Sequence, residues 1–367
     1  MVKLTRVIKL LVVIHYIIVA LFVFDVIPQL SHHAGFPFWF HDGGDNNYYY
    51  GLAKNIASWD FSQANKFPLG FPLMIAPFIK FIGLGLSDLI SPFAAFWTIV
   101  MFPIGQLLVF KLVKSLTKKD AVAFLTVFIW TVLPLVYFLG MQVFPDPNIG
   151  DEAVHFTWAQ MATDGPTAFF SILTISGLLY ISRHGYKLRN VIMLGGLVGY
   201  MMLVRYNSII ILIPVISVFL LDKKIKYLFA LLFAAFIIFS PQLVYNWHFF
   251  GSPFTTGYTS IDVVPPGGLF NITYPIKAFL SAWKYIHALV IPIILFGVWV
   301  LISGYRYLAK LSRQGALVIG LWFLSYLVFY SFFYYSWIGC FSGYMIPAYP
   351  AMALLAAAAY ENSPFTR

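Results

Sequence analysis

The sequence predicts an all-α protein that crosses a membrane about ten times, and three observations carry that prediction. Of the 367 residues, 61% are hydrophobic and only 10% charged, against about a quarter charged in soluble domains. Apolar runs recur along the whole chain, and a hydrocarbon core about 30 Å thick needs roughly 20 apolar residues per spanning helix. The 23 basic residues gather in short clusters between those runs. The formal net charge of +10 is therefore topology information and not the footprint of a nucleic-acid surface. A β-barrel is excluded, because its alternating segments of about ten residues are absent.

The runs fall at residues 7–30, 89–113, 120–140, 165–182, 190–204, 207–221, 227–247, 285–303, 315–337 and 340–360. The first is long for a signal-peptide core and lacks a small-residue cleavage site, so it is read as a retained helix. Residues 67–85 form an eleventh apolar run, broken by Pro68, Gly70, Pro72 and Pro77. Proline removes a backbone donor, which places this run as a re-entrant or interface-lying segment. Parity agrees. With the N-terminus cytoplasmic, Lys3/Arg6/Lys9, Lys111/Lys114/Lys118/Lys119, Arg183/Lys187/Arg189, Lys223/Lys224/Lys226, Arg306/Lys310/Arg313 and Arg367 all fall inside, 17 of the 23 basic residues. Ten of the 13 acidic residues go outside or near the outer ends, leaving Asp120, Asp222 and Glu361 within. An additional span at 67–85 would send Lys111 to Lys119 outside. The expectation is one transmembrane domain over 1–367 in a plasma or cytoplasmic membrane, with residues 31–88 as the first extracytoplasmic loop and no soluble terminal domain. Cys340 is the only cysteine, so no disulfide framework or thiolate metal site is implied.

Three outer stretches, 31–66, 141–165 and 247–284, hold most of the acidic groups. In the first, Asp45, Tyr49 and Ala53 are spaced to share one face of a helix beginning near Asp45, with Asp45 or Gly44 as its cap. An N-cap on an amphipathic surface helix explains the same spacing. Arg205 interrupts two apolar runs, where a charge is costly without a partner or a water-filled cavity; a snorkelling arginine at a helix end is the other reading. Asp164 with Asp151 and Glu152 forms a second acidic group. Glu152 and His155 are three apart and could join Asp45 or Asp42 around a divalent metal, Mg or Mn, although solvated loop acids are the commoner explanation. His32, His33 and His41 carry no ligand pattern. Asn271-Ile272-Thr273 fits a glycosylation sequon, which says nothing about activity. Tyr48, Tyr49, Tyr50, Trp59, Trp158, Trp247, Tyr258 and Tyr274 fit an interfacial belt or a sugar-stacking wall.

In their order along the chain these features resemble the GT-C superfamily of membrane glycosyltransferases, which includes the protein mannosyltransferases and the aminoarabinose lipid A transferases. The resemblance rests on Asp45, Tyr49 and Ala53; on Phe67-Pro68-Leu69-Gly70-Phe71-Pro72-Leu73; and on Thr163-Asp164-Gly165-Pro166. It continues through Leu203-Val204-Arg205-Tyr206-Asn207, Asn246 with Phe250-Gly251-Ser252-Pro253, and Tyr344 with Pro347 and Pro350. Two positions depart from the pattern: Asn46 stands where a second carboxylate is common, and Gly343 where a basic residue is.

The resemblance implies transfer of a sugar from a polyprenyl-phosphate donor to a lipid, protein or polysaccharide acceptor on the extracytoplasmic face, with inversion. Asp45 is the implied general base. Because Gly343 is not basic, the donor phosphate falls to Arg205, Lys66 or Lys277. Asp42, Tyr49, Asn246, Tyr258 and Tyr344 are expected to line the site. A secondary transporter or lipid flippase is the alternative, since many helices with a Pro/Gly-broken segment also describe that class. Against it, the chain has no internal symmetry, and its ionisable groups, Arg205 apart, lie in outer loops.

Overall fold

A computed structural model describes residues 2–24, 45–83, 92–143, 158, 162–260, 267–276, 290–333 and 344–363. The described chain is helical, and its only strand-like pairing is an isolated bridge between Phe270 and Phe333. In chain order the helices are α1 (Val2–Val23), α2 (Asp45–Ala57), α3 (Gly70–Ile82), α4 (Pro92–Thr117), α5 (Asp120–Val143), α6 (Asp164–His184) and α7 (Leu188–Val204). There follow α8 (Leu212–Leu221), α9 (Ile225–Phe250), α10 (Gly257–Ser260), α11 (Val290–Leu311), α12 (Arg313–Ser331) and α13 (Tyr349–Glu361). Among the described residues, α4, the first part of α5, α6, α9 and α12 are each long and apolar enough to cross a membrane, and shorter apolar helices accompany them.

Each of the ten apolar runs contains a helix, with two local differences, and a third difference falls in the eleventh run. Residues 207–221 open with a 3₁₀ segment, Tyr206–Ile211, before α8. Pro214 has no N–H for the carbonyl of Ile210, and the chain tightens ahead of it, Ser208 donating to Arg205 at 2.9 Å. The last run is α-helical at Tyr344 and Met345, tightens into a 3₁₀ turn over Ile346–Ala348 around Pro347, and resumes as α13 at Tyr349. The run at 67–85 is less broken than its prolines suggest, since α3 is continuous from Gly70 to Ile82. Pro72 falls in its first turn, where a missing donor costs nothing, and only Pro77 interrupts the ladder. At 13 residues, α3 is about 20 Å long, short of the hydrocarbon thickness.

The packing is that of a protein solvated by lipid. On α9, Phe229 and Phe233 are 68% and 65% exposed, and Phe236, Ile237 and Val244 also point outward. Its inner face carries Leu231, Ala234, Ala235, Gln242 and Asn246. Large apolar side chains outside and small or polar ones inside suit a bilayer and not water. The chain is an integral membrane protein. The α7–α9 contact shows why small residues are needed: a Cβ on Gly195 would lie 2.3 Å from the carbonyl oxygen of Leu231, and one on Gly199 would lie 2.3 Å from that of Ala235. This Gly-x-x-x-Gly face lets the two backbones touch.

Polar contacts between helices meet backbone groups that lipid cannot. Pro103 has no N–H for the carbonyls of Thr98 and Ile99, and α4 widens there into a π-helical turn over Phe96–Met101. Two residues of α1 supply the missing donors: His15 Nε2 lies 3.0 Å from Thr98 O, which puts the proton on Nε2, and the Tyr16 hydroxyl donates to Ile99 O at 2.8 Å. His15 also stacks flat on Phe102, 3.9 Å between centroids. In α9, Pro241 leaves Ile237 O without its donor, and Ser240 Oγ donates to it at 2.8 Å.

The basic inter-helix turns meet at one end of the bundle. Arg183 donates to Ser115 at the close of α4, Lys119 pairs with Glu361, and Gln314 joins Ser182 to Asp222. Because α6 and α8 run toward this end, while α7 and α9 run away from it, Asp164, Arg205 and Asn246 lie at the other.

Substituting Gly199 by Leu should separate α7 from α9 and destabilise the protein by about 2 kcal/mol or more. Gly196→Leu, whose added Cβ meets nothing closer than 3.9 Å, should be nearly silent. Thermal unfolding of the purified variants in detergent compares them, and equal losses at both positions would show that the close approach does not matter.

Candidate functional site

The site is assembled from three loops at the end away from the basic turns. The first is the strap between α2 and α3. Asn65 organises it: its Oδ1 accepts from Phe67 N–H at 3.0 Å, its Nδ2 donates to Tyr48 O at 3.1 Å, and its backbone N–H donates to the Tyr245 hydroxyl at 2.8 Å. Further along, Leu69 N–H donates to Gln242 Oε1 at 2.8 Å. With both ends held, Lys66 is fixed over the start of α2. Its Nζ lies 4.0 Å from Asp45 Oδ1, 4.7 Å from the Tyr48 ring centroid and 5.0 Å from that of Phe67. The lysine side chain is 14% exposed and the carboxylate 63%. Desolvating the lysine head strengthens its contacts with both rings.

The second element is the break after α7. Arg205 adopts an extended conformation, φ −153° and ψ 120°, that ends the helix, and its side chain turns inward instead of snorkelling. Its guanidinium pairs with Asp164, the first residue of α6, and lies 4.7 Å over the ring of Tyr344. Tyr344 in turn stacks on Tyr330, with 5.0 Å between centroids and 8° between planes. Arg205 and Asp164 are 13% and 11% exposed. A pair removed so far from water persists only because each charge answers the other.

Tyr49 joins the two ion pairs. Its ring packs 4.3 Å from Phe67 and 4.8 Å from Phe71. Its hydroxyl hydrogen-bonds Thr163, next to Asp164, and lies in the fields of Asp45, Arg205 and Asp164. Burial, followed by the negative charge of Asp45, pushes its pKa up. Tyr258 is shifted the same way by burial, then by Tyr49 and Asp45. Both phenols therefore stay protonated at neutral pH and act as donors, which leaves proton acceptance to the carboxylates.

The third element is the loop after α9. Gly251, at φ 73°, terminates the helix in the left-handed region. The chain folds back so that Asn246 Nδ2 donates to Pro253 O at 3.1 Å. Tyr258 then reaches Phe67, 5.3 Å between centroids. Gly257 lies against the strap so closely that a Cβ there would sit 2.1 Å from the Cα of Lys66.

Asp45, Tyr49, Lys66, Asp164, Arg205, Tyr258 and Tyr344 are thus gathered in one cluster. Helix α2 does begin at Asp45, and Tyr49 and Ala53 share its buried face. Asn246 is buried, and its amide is engaged by Pro253, Gln242 and Tyr206. Asp42, Asp151, Glu152, His155 and Lys277 lie outside the described residues, and with them the Glu152/His155 metal arrangement. Among the described residues no group of three or more His, Cys, Asp or Glu is placed to hold a metal ion. Reasoning from sequence missed Gln242, Tyr245 and Asn65, which hold the strap. Gln242 and Asn246, four apart on an otherwise apolar helix, were the available signal, since buried amides in a spanning helix are costly without partners.

No family model matches the sequence, and no curated protein does either. Solved structures do match. ArnT from Cupriavidus metallidurans, bound to undecaprenyl phosphate, aligns with a TM-score of 0.57 at 16% identity, covering 95% of this chain and 60% of that one. The Archaeoglobus fulgidus oligosaccharyltransferase in its apo form aligns at 0.54 and 14%, covering 96% of this chain and 50% of that one. The chain therefore spans 50–60% of the length of these proteins and shares their fold.

Replacing Asp164 by Ala should strand the Arg205 charge and cost about 3–5 kcal/mol, with Arg205→Ala costing a similar amount. The double variant should lose clearly less than the sum. A double-mutant cycle on unfolding in detergent reads the coupling, and strictly additive losses would remove the pair from any account of the site's rigidity.

Proposed function

We propose that this chain is a membrane glycosyltransferase that moves a sugar from a polyprenyl-phosphate donor to an acceptor hydroxyl. Its GT-C fold supports the general class. The observation that carries the finer reading is the juxtaposition of an exposed carboxylate, Asp45, with a buried lysine and a buried arginine–aspartate pair, all touching Tyr49 or its neighbours. Asp45 takes the proton from the acceptor hydroxyl as the oxygen attacks the anomeric carbon. The bond from that carbon to the phosphate oxygen breaks, and its electron pair leaves with the phosphate. Phosphate is already a good leaving group, so no general acid is required. Positive charge nearby stabilises it, and Lys66 and Arg205 supply that charge. Attack opposite the leaving group inverts the anomeric centre. The acceptor is a lipid, protein or polysaccharide hydroxyl.

The positive-inside rule assigns the basic turns to the cytoplasm, which puts the N-terminus inside and the site on the extracytoplasmic face. A polyprenyl donor held in the outer leaflet presents its phosphate at this level.

Asp45→Asn keeps the shape of the side chain and removes its basicity, so transfer should fall about 10²–10⁴-fold with unchanged insertion and thermal midpoint. Radiolabelled sugar transfer from a panel of undecaprenyl- and dolichyl-phosphate sugars in membranes measures it. Wild-type transfer by the variant would sink the assignment. Uptake of the sugar lipid into liposomes with no new glycosidic bond would establish a transporter instead.

A further inference from the structure

The loops of the site come from distant parts of the chain, yet one side chain touches two of them and reaches the third through its neighbour Asn246. Gln242 is fully buried on α9, where its amide is used on both sides. Its Oε1 accepts from Leu69 N–H at 2.8 Å, three residues beyond Lys66. Its Nε2 donates to the Tyr206 hydroxyl at 2.7 Å, one residue beyond Arg205. The same nitrogen donates to Asn246 Oδ1 at 2.8 Å, and Asn246 holds Pro253 O at the start of the loop that carries Tyr258. The Tyr206 hydroxyl also donates to Asn246 Oδ1 at 3.3 Å. A hydrophobic side chain of the same size would fill the space as well and be cheaper to insert into a membrane helix. What it would not do is fix the strap, the Arg205 break and the Tyr258 loop in register.

We propose that Gln242 is a positioning residue that sets the separation of Lys66, Arg205 and Tyr258 and so preorganises the anion-binding side of the site. The proposal rests on the functional reading above only in calling that side anion-binding; the mechanical coupling stands on the geometry alone. A group placed this way acts through others, and a displacement of about 1 Å at such a site can cost as much as a hundredfold in function.

Hydrogen–deuterium exchange on the full-length protein in detergent tests the coupling, and undecaprenyl phosphate is the binding probe. Gln242→Leu should raise exchange at Leu69 and across 251–260 together, by about five- to tenfold, the equivalent of one lost hydrogen bond. Exchange in the middles of α7 and α9 should not change. Asn246→Leu should loosen 251–260 and leave Leu69 protected. If Gln242→Leu does not yield folded protein, Gln242→Met serves in its place: a thioether of similar length fills the space but makes neither set of hydrogen bonds, so Leu69 and 251–260 should again loosen together. Affinity for undecaprenyl phosphate should fall about tenfold in the Gln242 variant that folds. Unchanged exchange at both segments, or a uniform rise through the bundle, overturns the positioning role whatever the lipid does. Failure of the wild-type protein to bind the lipid, with the exchange pattern as expected, overturns the anion-binding reading and leaves the coupling intact.

Discussion

Within a hydrocarbon core, a backbone carbonyl that loses its helical donor has no water to turn to, so a partner must come from the protein itself. This constraint explains the least regular parts of the fold. Pro103 and the π-helical turn before it leave two carbonyls of α4 without helical donors, and His15 and Tyr16 of α1 satisfy them. Pro241 deprives one in α9, and the neighbouring Ser240 satisfies it. At these two places a side chain has been supplied to meet the irregularity. The same rule governs the α7–α9 contact: without a hydrophobic drive between helices, close packing must supply the attraction, and only glycine at 195 and 199 permits the approach.

The site obeys the rule at a larger scale. Ending α7 at Arg205 exposes helix-terminal carbonyls and places a charge at the edge of the apolar layer. Asp164 answers the charge, the Tyr344 ring covers its face, and the 3₁₀ segment after it tightens the chain through i→i+3 bonds. The strap from Asn65 to Leu69 has no regular structure of its own, and its N–H groups are met by Asn65, Tyr245 and Gln242. Irregular backbone at this level is tolerated where it lies against protein and borders a polar site.

How much of this was legible in the sequence follows from the range of each interaction. Hydropathy is local, so each of the ten apolar runs could be matched to a helix, while the 3₁₀ turns ahead of Pro214 and around Pro347 left no mark in it. The charge at Arg205 could be read as a break because nothing else in that stretch tolerates water, and the offsets from Asp45 to Tyr49 and Ala53 encode a shared helical face. The partners could not be read. Leu69 and Gln242 are 173 residues apart, and His15 and Thr98 are 83 apart. No periodicity in a single chain records such pairings. Asn246 attracted notice through its motif, whereas Gln242, one turn earlier and equally bonded, was hidden among apolar neighbours.

The two ion pairs of the site differ in exposure, and that difference divides the work between them. Arg205 and Asp164 are both nearly dry, so separating them leaves two uncompensated charges, and the pair is fixed for as long as the protein is folded. Asp45 is largely solvated, and its carboxylate lies 4.0 Å from Lys66 Nζ, a contact of the kind worth little in isolation. A ligand can compete for it at small cost. On the proposed reading, then, the chemistry falls to the loose pair, with Asp45 accepting a proton as phosphate draws on the charge of Lys66. The tight pair keeps the far wall in place. Tyr49, kept protonated between them, holds the two at a constant distance through Thr163 and the ring of Phe67.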